Sequence, residues 1–163
     1  MVFKTATPKD TEIILSILYE QAVILKSKNI YQWRRWLSPS TNELNWLNNL
    51  IDNEFFFLIY DNNSIVGIFS LANEDTLYWG KQGVKAKYLH SLAIIPNSKN
   101  KGLGKKAIDS IKIKLKSDNI PFLRLDCIST NQSLKSFYLN QNFIEVGTST
   151  VRNDNFSLFE FEL

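Results

Sequence analysis

The chain contains a single cysteine, Cys127. One thiol excludes an internal disulfide framework and suits a reducing compartment. No apolar run reaches the roughly 18 residues that a membrane span needs, and Met1-Val-Phe-Lys leads directly into a strand pattern. Neither a span nor a signal peptide is expected. A large excess of one charge is missing as well: Lys+Arg 19 against Asp+Glu 16 leaves a net +3, too mild to argue for nucleic acid. No internal repeat or low-complexity tract is found. What is present is ample apolar material, 44% hydrophobic and 13% aromatic in 163 residues, enough for one domain spanning 1–163 with its own core. The expectation is a soluble, cytoplasmic protein with no nucleic-acid or membrane partner.

The informative stretch is 88–105, Tyr-Leu-His-Ser-Leu-Ala-Ile-Ile-Pro-Asn-Ser-Lys-Asn-Lys-Gly-Leu-Gly-Lys. Its apolar run from Leu89 to Ile95 suits a strand buried on both faces, and Pro96, lacking a ladder donor, ends it. After a basic turn, Gly102 and Gly104 open a helix read as Lys105 to Ser117. Two glycines at a helix start let backbone approach a bulky group, and the first helical N–H groups point at the same spot. Lys99, Lys101, Lys105 and Lys106 add positive charge, so the pattern reads as a phosphate or pyrophosphate site. A Walker loop does not fit, because Lys99 stands five residues before Gly104 where a glycine is required. The dinucleotide pattern G-x-G-x-x-A is met by Gly102-Leu-Gly104-Lys-Lys-Ala107 with Asp126 downstream, but Pro96 to Lys101 separate it from its strand.

A third pattern fits better. Lys99-Asn100-Lys101-Gly102-Leu103-Gly104 resembles the acetyl-CoA pyrophosphate loop of the GNAT superfamily of N-acetyltransferases, with Lys99 in place of the usual Gln or Arg. Arg124-Leu-Asp126-Cys-Ile-Ser-Thr-Asn131, then Phe137-Tyr138 and Asn142-Phe143, resemble that superfamily's second signature. Asn142 stands where the family usually has Gly, and is the residue next best able to adopt a left-handed cap. The resemblance covers roughly 65–147. It implies an α/β GNAT acyl-CoA N-acyltransferase fold: a mixed, mostly antiparallel central sheet with helices on both faces and parallel strands 87–95 and 122–128 splayed apart. It also implies acetyl-CoA as cosubstrate, with the pantetheine arm pairing with Leu92, Ala93 and Ile94. No metal is expected.

The remaining pattern agrees with that order. Val2 to Ala6 reads as a strand, and Thr7-Pro8-Lys-Asp10 starts a helix running to about Lys28. The aromatic segment 30–39 follows, and the capping box Ser40-Thr-Asn-Glu43 opens a second helix. Phe55 to Tyr60 and Ile65 to Leu71 form a hairpin. Residues 72–87 are irregular. A helix from about Gln132 to Asn140 precedes a closing pair of strands, Ile144 to Val151 and Phe156 to Glu162. The resemblance places the connection between the first two helices beside the acceptor pocket, so Trp33 and Trp36 are candidates for its wall or anchors of a loop. Glu74 and Trp79 are further substrate-side candidates.

Acetyl transfer from a thioester to an amine needs donors for the developing oxyanion, a base and a proton for the thiolate. The base is required because an alkylamine of pKa about 10 is mostly charged at neutral pH. The backbone N–H of Ile94 is the candidate oxyanion donor. On the resemblance, Tyr138 protonates the thiolate, and Asn131 bonds the pantetheine from a helix face shared with Lys135 and Tyr138. For the base, Arg124 and Asp126 share one face of their strand, and Asp126 matches a position where some family members carry a catalytic Glu. A structural ion pair with Arg124 is its alternative. His90 is a second candidate or a hydrogen-bonded structural residue, and Glu74 and Asp75 could act through a water. Cys127 faces the apolar side as inert core. The expected activity is direct transfer from acetyl-CoA to a primary amine of a small molecule in a ternary complex. A catalytically silent CoA-binding domain and a dinucleotide enzyme are the rivals, and a homodimer is left open.

Overall fold

A computed structural model describes residues 1–98 and 101–163. The strands are β1 (Val2–Thr5), β2 (Phe56–Asp61), β3 (Ser64–Ala72), β4 (Ala86–Ile94), β5 (Phe122–Ile128), β6 (Ile144–Val151) and β7 (Asp154–Glu162). The α-helices are α1 (Thr11–Ser27), α2 (Thr41–Asp52), α3 (Leu103–Ser117) and α4 (Gln132–Leu139). Among the described residues the strands form one seven-stranded mixed sheet in the order β1-β2-β3-β4-β5-β7-β6, an α/β fold. The β4–β5 ladder is parallel, whereas β1–β2, β2–β3, β5–β7 and β6–β7 are antiparallel. The chain divides into two compact units, Met1–Ser70 with Ser91–Ala107, and Leu71–His90 with Ile108–Leu163.

In the first unit, Thr7 donates its N–H and hydroxyl to the Asp10 carboxylate. A single 3-10 turn, Pro8–Asp10, precedes α1, so the regular helix starts later than the sequence pattern suggests. Ile14, Ile17, Leu18 and Ala22 recur at helical spacing and are buried with Leu47, Leu50 and Ile51 of α2. Trp36 lies in this core at 2% exposure, and Trp33 packs partly buried against it. At α2, the Glu43 carboxylate accepts from the Ser40 N–H at 3.0 Å, completing the capping box read from the sequence. Asn62 and Asn63, both left-handed, turn the β2–β3 hairpin.

Strand β4 departs from the sequence expectation. Lys87, His90, Leu92 and Ile94 are only half-buried, so the strand is not buried throughout on both faces. Ser91 adopts φ +55 in mid-strand, an irregularity that interrupts the alternation of faces there. His90 therefore cannot be assigned to the face of Leu92 and Ile94 by counting. At Gly67 of β3, a Cβ would be driven into the carbonyl oxygen of Ala93, so two backbones meet where only glycine fits.

In the second unit, Leu123, Leu125 and Cys127 on one face of β5 are buried with Phe159 of β7. Ile108, Ile111 and Leu115 form the buried stripe of α3. Asn142 is left-handed at φ +63, as its place after α4 requires.

Gly67→Ala should cost about 1–3 kcal/mol by overpacking. Gly147→Ala, where an added Cβ meets nothing within 4 Å, should stay within about 0.5 kcal/mol of the parent in the same urea titration.

Candidate active site

Side chains alternate along β5, so Arg124 and Asp126 share the face opposite its apolar residues. Across the parallel ladder Tyr88 stands opposite Arg124, and His90, two residues on, is brought up to Asp126. His90 Nδ1 lies 3.5 Å from Asp126 Oδ2, and His90 Nε2 lies 3.3 Å from Asp75 Oδ2. The two carboxylate side chains are 7% and 6% exposed, the imidazole 21%. Carboxylates so far from water require a cation or a proton beside them, and the imidazole is the group that stands against both.

Asp75 comes from the irregular segment before β4. Its Oδ1 accepts the Tyr78 N–H at 3.1 Å and its carbonyl accepts the Trp79 N–H at 3.0 Å, a turn that aims Oδ2 at the ring. Glu74, named from sequence beside Asp75, is exposed. Asp75 had a readable signal: a short acidic side chain begins a turn that Gly80 closes in left-handed geometry. Asp75, His90 and Asp126 place candidate ligand atoms within 4.8 Å of one another. A metal ion takes the lone pair of one imidazole nitrogen. Here the carboxylates sit at opposite nitrogens, an arrangement suited to two N–H protons.

Arg124 does not pair with Asp126 as the structural alternative supposed. Its Nε donates to Glu160 Oε2 at 2.7 Å, and its Nη1 donates to Tyr88 Oη at 3.0 Å and Gln82 Oε1 at 3.2 Å. The reason is register: Glu160 of β7 stands directly opposite Arg124, closer than a residue two along the same strand. Burial works against the guanidinium charge, but the bonds to Tyr88 and Glu160 outweigh it and raise the pKa above its ordinary value. Trp79 lies 4.9 Å from the guanidinium and edge-on to Tyr88 at 5.8 Å, so its indole packs over this pair.

Within α4 and its flanks, Asn131 is the N-cap, its Oδ1 accepting the Leu134 N–H at 3.1 Å. That oxygen is committed to the helix, so a contact to pantetheine would fall to the amide nitrogen. Lys135 pairs with Glu145 at 3.1 Å. Hydrogen bonding from Ser157 and then Lys135 holds the Glu145 carboxyl below its usual range. Tyr138 is 7% exposed, its ring 5.7 Å from Phe159 and 5.9 Å from Phe143. Burial, reinforced by Cys127 and Asp126, pushes its phenol well above the ordinary range, so it keeps its proton and is a donor rather than a base. Burial pushes the Cys127 thiol up to about 12.

The basic turn belongs to the first unit. Gly102 is left-handed at φ +69, and its carbonyl accepts the Lys106 N–H at 3.0 Å, so α3 begins at Leu103, two residues before the expected start. Lys101, Lys105 and Lys106 are exposed around this helix start. Leu103 is 5% exposed and Gly104 lies in the first turn. Lys99 and Asn100, also expected at the phosphate, lie outside the described residues. On β4, Ala93 is 4% exposed, and the Ile94 carbonyl accepts from Gln21 Nε2 at 3.3 Å. The deep burial of Trp36 makes it a core anchor, leaving Trp33 as the more accessible of the two indoles.

The sequence model of the acetyltransferase (GNAT) family matches residues 24–143. Over 97% of this chain and 88% of the relative, the chain is 23% identical to the uncharacterized N-acetyltransferase YesJ of Bacillus subtilis (strain 168). The crystal structure of a GNAT-family acetyltransferase from Listeria monocytogenes 4b F2365 superposes with a TM-score of 0.80 at 24% identity, covering 99% of this chain and 94% of the other. One from Streptococcus agalactiae 2603 gives a TM-score of 0.83 at 12% identity, covering 99% and 95%.

Because its thiol is buried and its ionisation suppressed, Cys127 should resist a thiol reagent at pH 8 in the native protein. It should react fully once denaturant is added, a difference read directly by thiol titration.

Proposed function

Given that the chain belongs to the acetyltransferase (GNAT) family, we propose that it moves the acetyl group of acetyl-CoA directly to a primary amine of a small molecule, with 1–163 acting as one domain in the cytoplasm. The observation that carries the reading is the start of α3: a left-handed Gly102 followed by helix amides and exposed lysines fits a pyrophosphate. Lys99, Asn100, Lys101, Gly102, Leu103, Gly104 and Lys105 would hold that group, largely through backbone N–H. Leu92, Ala93 and Ile94 would pair with the pantetheine arm, with the Ile94 N–H facing the thioester carbonyl. Asn131 and Lys135 would complete the cofactor contacts. Among the described residues, no helix is long and apolar enough to cross a membrane.

Three steps are required of these residues. His90 and Asp126 would accept the proton of the acceptor ammonium, a role their direct pairing supports. The Ile94 N–H would stabilise the oxyanion as the C–N bond forms. Tyr138 would give its proton to the departing thiolate; burial keeps that proton on the phenol until the thiolate's negative charge develops. Transfer is direct because the chain's one cysteine is buried and un-ionised, unsuited to carrying an acetyl group. Trp33, Trp36, Glu74 and Trp79 would be the acceptor-side residues.

Thiol release from acetyl-CoA should appear with at least one member of an amine panel, and Tyr138→Phe should lower kcat by about 10²-fold or more. CoA, and not NADH, should raise the thermal midpoint. Tight CoA binding with no turnover on any amine would instead favour a silent CoA-binding domain.

A further inference from the structure

We propose that Asp75 is a positioning residue of the acid–base group: with Asp126 it holds His90 between two carboxylates, a proton on each ring nitrogen, so that the imidazole gains and loses its second proton under the charge of both. The catalytic part of this inference rests on the acetyl-transfer reading. The cluster itself rests on geometry alone.

A neutral imidazole has one N–H and one lone pair. With Asp126 Oδ2 at 3.5 Å from Nδ1 and Asp75 Oδ2 at 3.3 Å from Nε2, a neutral ring would aim its lone pair at a carboxylate whichever tautomer it adopted. A second proton turns that repulsion into attraction between opposite charges at ion-pair distance. Partial burial opposes the cationic ring, but an anion in contact on each side outweighs it. The other groups facing the cluster do not reverse the balance. Tyr78 presents its ring at 6.3 Å, Tyr88 of β4 is bonded to Arg124, and the Arg124 charge on β5 is met by Glu160 of β7. Tyr138 and Cys127, which feel the Asp126 charge, are both kept un-ionised by burial. Two carboxylates and one imidazolium leave a net charge of one negative, a match for an incoming ammonium.

The protonated cluster can attract that ammonium but cannot deprotonate it through the ring. The form lacking one proton can. The acceptor nitrogen then loses two protons in all as the C–N bond forms and the C–S bond breaks. One ends on the departing sulfur and the other leaves through His90 to solvent. Turnover should therefore climb with pH above the ordinary histidine range, and removing the Asp75 charge should move that rise to lower pH.

His90 is the one histidine of the chain, so its ring C2–H resonance needs no assignment. The full-length protein would be titrated by proton NMR as wild type, Asp75→Asn, Asp75→Ser (whose hydroxyl can still accept the Tyr78 N–H), Asp126→Asn and Glu74→Gln. The wild-type midpoint should lie above about 6.5. It should fall by about one unit or more in each Asp75 and Asp126 variant and stay in place in Glu74→Gln. The alkaline rise in acetyl-transfer rate should shift with it in Asp75→Asn. A wild-type midpoint at or below 6.5, or one unmoved in both folded Asp75 variants, overturns the inference. A moved midpoint with an unmoved rate profile overturns the positioning role. Lack of turnover in wild type with every amine overturns the acetyl-transfer reading, while the titration still decides the cluster.

Discussion

A carboxylate taken out of water must find a proton or a cation, and that requirement organises the chemistry of the second unit. Asp75 and Asp126 are both nearly covered, and His90 stands against both. Glu160 meets the same need for Arg124 from across the β5–β7 ladder. The result is two separate charge groups, one arginine–glutamate pair and one imidazole between two carboxylates. The fixed cation does not drain the charge of the carboxylate–imidazole cluster. The same face would otherwise read as a row of loose charges.

The first unit obeys a steric constraint instead. β3 and β4 approach so closely at Gly67 that no side chain fits against the Ala93 carbonyl. Ser91 takes a left-handed conformation in the middle of β4, and Leu92 and Ile94 remain half-exposed beyond it. The irregular centre interrupts the regular alternation of faces along the strand. Asparagine does the work that glycine often does in this chain. Asn29, Asn62, Asn63, Asn119, Asn142 and Asn153 all have positive φ, which fits a sequence with only 6 glycines.

Elements whose signals are local were legible. The Ser40–Glu43 cap, the Asn-Asn hairpin and the strand boundaries at Ile144 and Val151 depend on neighbours within a few residues. So did the glycine-led start of α3, though its first residue is Leu103 rather than Lys105. The face shared by Arg124 and Asp126 followed from alternation, as did the burial of Cys127. The partners on that face were not legible. Arg124 takes Glu160 because of β5–β7 register, and Asp75 rather than Glu74 reaches His90 because a turn of the backbone aims it. Trp36 is core rather than wall because of what packs around the 3-10 turn at 34–37.

By itself the order of residues determined the element types, the fold class and the glycine-led helix start, because periodicity, capping and turn chemistry act over a few positions along the chain. Only the tertiary structure decided which acid meets the histidine and which meets the arginine. Those choices depend on distances of a few ångströms between residues as far apart as 75, 90 and 126, and on the exclusion of water that makes each pairing obligatory.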